Sequence, residues 1–135
     1  MWKSMLAVTA GIVTLTVTSF AIEWLVNPLL LRLYPGTLPD EAALAKSDWV
    51  RALTFAYSSV CVALGGYVCA ALAPRRPLRH AQVMGIVQVG MTVLAMLSLT
   101  GIASFVQWMI AAALAFPAAV AGGWFYGRRK PAAVP

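Results

Sequence analysis

The residues best suited to chemistry in this chain are four polar side chains set into an apolar segment near the N-terminus. They recur at intervals of three or four residues: Thr16, Ser19, Glu23 and Asn27. This spacing places all of them on one face of a helix. Glu23 is the only acidic residue inside an apolar segment, and an ionisable group in a membrane-spanning helix is by default a candidate functional site. The face therefore predicts a proton or cation site that borders a cavity.

The alternative is a structural role for Glu23. Counted from Leu6, Glu23 lies about 26 Å along a helix, which is near one membrane boundary and not at the midplane. In that position its carboxylate would be bonded to the next apolar segment, through Arg51, Ser58 or Ser59. The sequence alone leaves both roles open.

The other reactive side chains do not form the patterns that catalysis or metal binding needs. Cys61 and Cys69 are eight positions apart, about 12 Å along a helix, which is too far for a disulfide between them. His80 has no second metal ligand nearby in the sequence. Neither a nucleophile–base pair nor a phosphate-binding glycine loop is present. We therefore expect no enzyme activity, no cofactor and no bound metal.

The composition is that of a membrane protein. Of 135 residues, 61% are hydrophobic and 10% are charged, whereas a soluble domain has roughly 45–50% apolar and about 25% charged residues. The formal net charge is +6. Its basic residues gather in clusters that directly follow apolar segments, which is typical of membrane topology and anionic headgroup contact. We expect a lipid bilayer with anionic headgroups as the partner of these clusters, and no nucleic acid.

Four apolar segments are long enough to form membrane-spanning helices. They cover approximately residues 5–31, 50–73, 81–100 and 104–126, and a helix needs roughly 20 residues to cross the hydrocarbon layer. The remaining chain forms an outer loop at 32–49, a basic inner loop at 74–80 and a basic tail at 127–135. Short connections make neighbouring helices antiparallel, so residues 1–135 predict one transmembrane domain, an all-α antiparallel bundle of four helices. Asp40 and Glu41 predict the start of a short interfacial helix within the outer loop.

A cleaved signal peptide is the alternative for the first segment. Lys3 precedes an apolar stretch, and small residues stand before Ile22 as at a cleavage site. The apolar sequence continues to Leu31, however, which exceeds the core of a typical signal peptide. We therefore expect a retained helix, and N-terminal sequencing that finds a start at Ile22 would remove it from the count.

The distribution of lysine and arginine predicts the orientation. One side of the membrane would carry seven basic residues: Lys3, Arg75, Arg76, Arg79, Arg128, Arg129 and Lys130. The other side would carry three: Arg32, Lys46 and Arg51. Because basic residues accumulate on the cytoplasmic side, both termini and the basic inner loop are predicted to be cytoplasmic.

Small residues at four-residue spacing predict where the helices pack. They are Gly65, Gly66 and Ala70 in the second segment, and Ala115, Ala119, Gly122 and Gly123 in the fourth. Such residues let membrane helices approach closely. Gln88 and Thr92, one turn apart in the third segment, predict hydrogen bonds between helices, with a substrate pathway as the alternative.

One stretch resembles a recurring pattern of uncharacterised small four-helix bacterial membrane proteins. The stretch GGYVCAALAPRRPLRHA begins at Gly65 and is similar to their motif GGYxxAxLAPxRPxxHA. The resemblance extends from Ala56 to about Gly123, with Trp108 and Pro117 in its later part. It implies a four-helix fold and a bacterial inner membrane. This chain departs from the pattern at Ser58, where such proteins have arginine. If they pair that arginine with an acid, Glu23 here has lost its partner or pairs with Arg51 instead.

Two functions follow from these observations. The small-residue seams, together with the missing catalytic patterns, predict a non-enzymatic interaction, accessory or assembly module that forms a homo-oligomer or binds a membrane protein partner. The polar face around Glu23 predicts instead a small transporter or channel component.

Overall fold

The computed structural model describes residues 2–73, 75–98 and 104–129, and this part of the chain is all-helical. Its helices are α1 (Trp2–Leu33), α2 (Glu41–Lys46), α3 (Asp48–Leu72), α4 (Pro77–Ser98) and α5 (Phe105–Arg129). The four long helices are each long and apolar enough to cross a membrane. The predicted all-α class with four membrane-length helices is confirmed, and the chain is a multi-pass membrane protein. The short connection between the third and fourth apolar segments and the basic residue Lys130 lie outside the described residues.

Three of the long helices begin earlier in the chain than the apolar segments do. The helix α1 starts at Trp2 and includes Lys3, α3 starts at Asp48 instead of Val50, and α4 starts at Pro77 instead of Ala81. Proline suits the first position of a helix, because its fixed φ is already helical and its missing N–H would have no partner there. As a result, His80 lies in the first turn of α4, where its Nδ1 is 3.2 Å from the backbone oxygen of Arg76.

The short helix α2 forms where Asp40 and Glu41 predict it. The side chain of Asp40 accepts a hydrogen bond of 2.8 Å from the backbone N–H of Ala43, which is the usual N-cap interaction. On its inner face, Leu44 is buried in a small cluster with Leu30, Leu38 and Val50. Since Leu30 belongs to α1 and Val50 to α3, this cluster holds α2 against the ends of both long helices.

The long helices surround α3. The helix α3 contacts α1, α4 and α5, and α4 contacts α1, α3 and α5, whereas α1 and α5 have no mutual contact within the described residues. Successive long helices run in opposite directions. One end of the bundle, here called the basic end, therefore carries Lys3, Arg75, Arg76, Arg79, Arg128 and Arg129. The opposite end, the α2 end, carries α2 and the acidic residues.

Close backbone contacts hold together the half of the bundle nearer the basic end. A Cβ atom added to Gly66 would collide with the backbone oxygen of Ala119 on α5, and one added to Gly122 would collide with that of Ala63 on α3. On the other side of α3, a Cβ added to Gly65 would lie 2.7 Å from the backbone oxygen of Gly11 on α1. The residues predicted for packing are all buried: Gly65, Gly66, Ala70, Ala115, Ala119, Gly122 and Gly123. They face the interior of the bundle, so they pack this chain's own helices.

Candidate functional site

A cleft of about 540 Å³ opens into the bundle at the α2 end. It is lined by α1, α2, α3 and α5, and its wall is unusually polar for a membrane-length bundle. The polar side chains that line it are Glu23, Asn27, Glu41, Arg51, Thr54, Tyr57, Gln107 and Trp108. The cleft exists because α1 and α5 lie on different sides of α3 without touching, while α2 lies across the end of the bundle.

A smaller pocket of about 230 Å³, here called the midplane pocket, adjoins the cleft. The two share four lining residues: Thr54, Phe55, Trp108 and Ala111. The midplane pocket adds the polar side chains of Ser19, Ser58, Ser59, Gln88 and Thr92. Ser59 and Gln88 stand near the midpoints of α3 and α4. Polar lining therefore extends from the α2 end to the middle of the bundle.

Three of the hydroxyl groups around these cavities present acceptors more than donors. Thr54 donates to the backbone oxygen of Val50 at 3.0 Å, Ser59 to that of Phe55 at 2.7 Å, and Thr92 to the oxygen four residues earlier at 2.9 Å. A hydroxyl has one proton to donate and two lone pairs to accept with. Because each proton is already used within its own helix, the lone pairs remain for a ligand that carries protons or positive charge.

The charges around the cleft sum to a negative value. Arg51 pairs with Asp48 at 2.7 Å and also donates to the backbone oxygen of Lys46 at 3.0 Å. That ion pair is the only one among the described residues, so the positive charge of Arg51 is balanced by an aspartate outside the cleft. Glu23 and Glu41 line the cleft without a basic partner. A cation entering the cleft therefore meets two carboxylates and one neutralised guanidinium, while Arg32 stands beside both carboxylates in the adjoining groove.

Two of the three partners proposed for a structural Glu23 are engaged elsewhere, and the third, Ser58, makes no hydrogen bond to it among the described residues. Arg51 binds Asp48, Ser59 donates to its own helix, and Ser58 lines the midplane pocket. The carboxylate of Glu23 lies instead within interaction range of the Tyr57 phenol on α3. Glu23 is half-buried at the wall of the cleft, as a group that serves a ligand would be.

The structure divides the polar face of α1 in two. Glu23 and Asn27 line the cleft, and Ser19 lines the midplane pocket. Thr16 is exposed on the outer surface of the bundle and donates to the backbone oxygen of Ile12 at 2.9 Å. Three of the four residues thus face the interior, and the hydroxyl of the fourth, Thr16, hydrogen-bonds within its own helix.

The sequence analysis missed several residues that line the cleft, among them Thr54, Tyr57 and Gln107. A signal for one of them was present. Arg51, Thr54 and Ser58 are separated by three and four positions, which is the same helical spacing that marks the polar face of α1. Gln107 has no such signal, because its place at the cleft depends on the packing of α5 against α3.

The buried guanidinium nitrogen of Arg51 also marks the cleft. Its Nε is the only buried side-chain nitrogen or oxygen among the described residues that has no hydrogen-bond partner. A buried donor without a partner is unfavourable by about 1–3 kcal/mol. Water or a ligand acceptor in the cleft would satisfy it.

The basic end carries a different arrangement. Arg75, Arg76 and Arg79 are exposed around the connection between α3 and α4. On α5, the guanidinium of Arg128 lies 4.2 Å from the ring centre of Trp124, and that of Arg129 lies 5.4 Å from the ring of Phe125. These are cation–π distances. The two clusters therefore differ, because the guanidinium groups on α5 stack on aromatic rings, whereas no such stacking is found for the arginines between α3 and α4 within the described residues.

No group of three or more histidine, cysteine, aspartate or glutamate side chains in the described part of the chain could hold a metal ion.

Comparison of the sequence and fold with known protein families, curated proteins and solved structures found no match. The assignment of a function therefore depends on the geometry of the cleft. The resemblance to small bacterial membrane proteins remains a prediction.

Proposed function

We propose that this protein is a small transporter or channel component that takes a proton or small cation into the cleft at the α2 end. The observation that carries this proposal is the polar lining that runs from Glu23 to Gln88 at the middle of the bundle. Polar groups inside a membrane are expensive, and those that face a cavity usually mark a solute or ion pathway. Three hydroxyls whose protons are already used and two carboxylates without a salt bridge among the described residues favour a positively charged solute.

In this proposal the cleft is open only to the α2 end, because the half of the bundle nearer the basic end is closed. Between the midplane pocket and the basic end, Gly65 lies against Gly11, and Gly66 lies against Ala119. These contacts leave no room for a solute between α3 and its neighbours. Passage through the membrane therefore requires α3 to separate from α1 or α5, whereas binding from the α2 end requires no such change.

Proteoliposome flux tests the proposal. Purified protein is reconstituted into vesicles that contain a pH-sensitive dye, and proton entry is driven by a potassium gradient with valinomycin; sodium entry is measured in parallel. We expect flux above that of empty vesicles, which Glu23→Gln reduces to the background. Glu41→Gln, a matched change at the exposed mouth of the cleft, should reduce it only partly. Wild-type flux equal to background, or full flux in Glu23→Gln, would refute the proposal.

The interaction or assembly module is the second candidate, and one surface feature favours it. An apolar crevice of about 230 Å³ lies on the outer face of the bundle between α3 and α5. Its wall includes Ala63 and Ala121, which are small enough to admit a helix of a partner. Crosslinking and native mass spectrometry in mild detergent test this candidate. A strictly monomeric chain that co-purifies with no protein would count against it.

The site of action proposed for either function is a bacterial inner membrane, with both termini in the cytoplasm. The seven-to-three distribution of basic residues between the two ends supports this orientation. It would place the mouth of the cleft on the periplasmic side. The orientation can be checked by protease protection of tags at the two termini in inverted vesicles.

A further inference from the structure

A second crevice, of about 370 Å³, lies at the basic end between α1 and α4. Its α1 wall runs from Ser4 to Thr9, and its α4 wall consists of Arg79, His80 and Val83. It is separate from the cleft, which opens at the other end of the bundle. The proposed transport function does not use it.

The crevice exists because α1 packs more extensively against α3 than against α4. A Cβ atom added to Gly11 would lie 2.8 Å from Cβ of Cys69 on α3 and 3.4 Å from the sulfur of Met84 on α4. Met84 is fully buried at this level and fills the space between the helices. Nearer the basic end no such side chain follows: Met5 is 67% exposed and Val83 is 49% exposed. The two helices therefore leave a gap that opens toward lipid and headgroups.

The walls of the crevice have two chemical parts. Met5, Val8 and Val83 form an apolar part. Arg79 and His80 stand at its mouth, with Ser4 on the opposite helix. From Ser4 to Val8 the helix advances by about 6 Å, which is the scale of the step from a lipid headgroup into the hydrocarbon region.

The positive charge at this end has no acidic partner among the described residues. All four acidic residues of the chain are in the half that belongs to the α2 end: Glu23, Asp40, Glu41 and Asp48. The basic end has six described lysines and arginines and no aspartate or glutamate. Arg79 makes no ion pair within the described residues. Arginine binds phosphate through two parallel hydrogen bonds, so a phosphate at the mouth of the crevice would match its geometry and its charge.

We propose that the crevice between α1 and α4 binds one anionic phospholipid. Its phosphate contacts Arg79 and His80, and one acyl chain lies along Met5, Val8 and Val83. The apolar part of the crevice selects a membrane lipid over free phosphate. The positive mouth selects an anionic lipid over a zwitterionic one.

The arginine pair of α5 offers a matched control. Arg128 belongs to the same end of the bundle and carries the same charge, but its guanidinium lies over the ring of Trp124 and lines no part of the crevice. Replacing either arginine with glutamine removes one positive charge from the same end. Only the change at Arg79 removes a ligand of the proposed lipid.

Lipid retention tests the inference. The protein is reconstituted in vesicles of equal amounts of phosphatidylcholine and phosphatidylglycerol, extracted in mild detergent, washed and measured by native mass spectrometry. We expect the wild type and Arg128→Gln to retain one phosphatidylglycerol. Retention in Arg79→Gln should be about tenfold lower, since one charge-assisted hydrogen bond is worth roughly that factor. Equal losses in the two variants would show diffuse attraction and overturn the proposal.

Two further arms keep the outcome decisive. Val83→Phe fills the apolar part without a change in charge and should also lower retention, whereas unchanged retention would refute the acyl-chain contact. Glycerol phosphate added to the wash should not displace the lipid, and displacement would show a site for the free anion instead. Circular dichroism and gel filtration confirm that each variant is folded before its retention is compared.

Discussion

A single methyl group added at one of the closest backbone contacts of this protein should destabilise the fold. Gly66→Ala adds a Cβ atom where the backbone oxygen of Ala119 lies, and the neighbouring backbone atoms of Ala119 are only 2.9 and 3.0 Å away. Backbone atoms cannot move aside as a flexible side chain can. The substitution therefore forces α3 and α5 apart.

The size of the effect follows from the distance that the helices must move. Ordinary contacts of a Cβ atom begin at 3.4 Å, so the two helices must separate by roughly 1 Å, and a gap of that size forfeits a quarter to a half of each dispersion contact across it. The contact between Gly122 and Ala63 lies in the same interface and is loosened with it. We expect a loss of about 1–3 kcal/mol in the free energy of unfolding, the range measured for overpacked cores.

Unfolding in mixed micelles measures this loss. The helical circular dichroism signal is followed as sodium dodecyl sulfate is added to protein in dodecyl maltoside. Gly90→Ala is the matched control, because a Cβ atom at Gly90 of α4 meets nothing within 4 Å. Its stability should be unchanged or slightly higher, since alanine is the better helix former. Equal unfolding midpoints for the two variants would refute the close α3–α5 contact.

Two other predictions concern the cleft and the short helix beside it. Ser58 lines the midplane pocket, whereas the side chain of Val60 faces lipid, where a thiolate does not form. The thiol of Ser58→Cys should therefore react with a membrane-impermeant, positively charged thiol reagent at least about tenfold faster than that of Val60→Cys. The native cysteines are 0% exposed and give the blank, and equal rates would show that water does not reach the pocket. Asp40→Ala removes the N-cap bond to Ala43 and should destabilise α2 by about 1 kcal/mol. Amide exchange at Ala43 should then rise about fivefold, while unchanged exchange would mean that the buried leucine of α2 alone holds the helix.

The helical framework of the protein could be predicted from sequence, because its causes are local. A run of some twenty apolar residues needs no partner to define a membrane-length helix, and the N-cap at Asp40 acts within one turn. The differences arose at helix ends. Pro77 begins α4 four residues before the apolar segment, since proline favours a first helical turn whether or not that turn is apolar.

The candidate site could be predicted only in part. Glu23, Asn27 and Ser19 were found because they repeat at the spacing of one helical face. Thr16 shares that spacing but lies outside the cleft, because spacing specifies a face and not how far along the helix that face stays covered. In its own segment Gln107 is marked only by its capping pair with Ser104, and that pattern predicts a helix start, not a place at the cleft.

Sequence alone predicted a membrane-spanning chain, the number of helices long enough to span, and an uneven division of the basic residues between the two sides of the membrane. Hydropathy, length and charge order are properties of consecutive residues, so each can be evaluated without knowing which helices touch. Three features were found only in the structure. Glycines join α3 to both α1 and α5 in the half nearer the basic end, polar residues of separate helices meet in one cleft at the other end, and a crevice remains between α1 and α4. These features depend on the rotation and separation of whole helices, which are set by contacts between residues far apart in the chain.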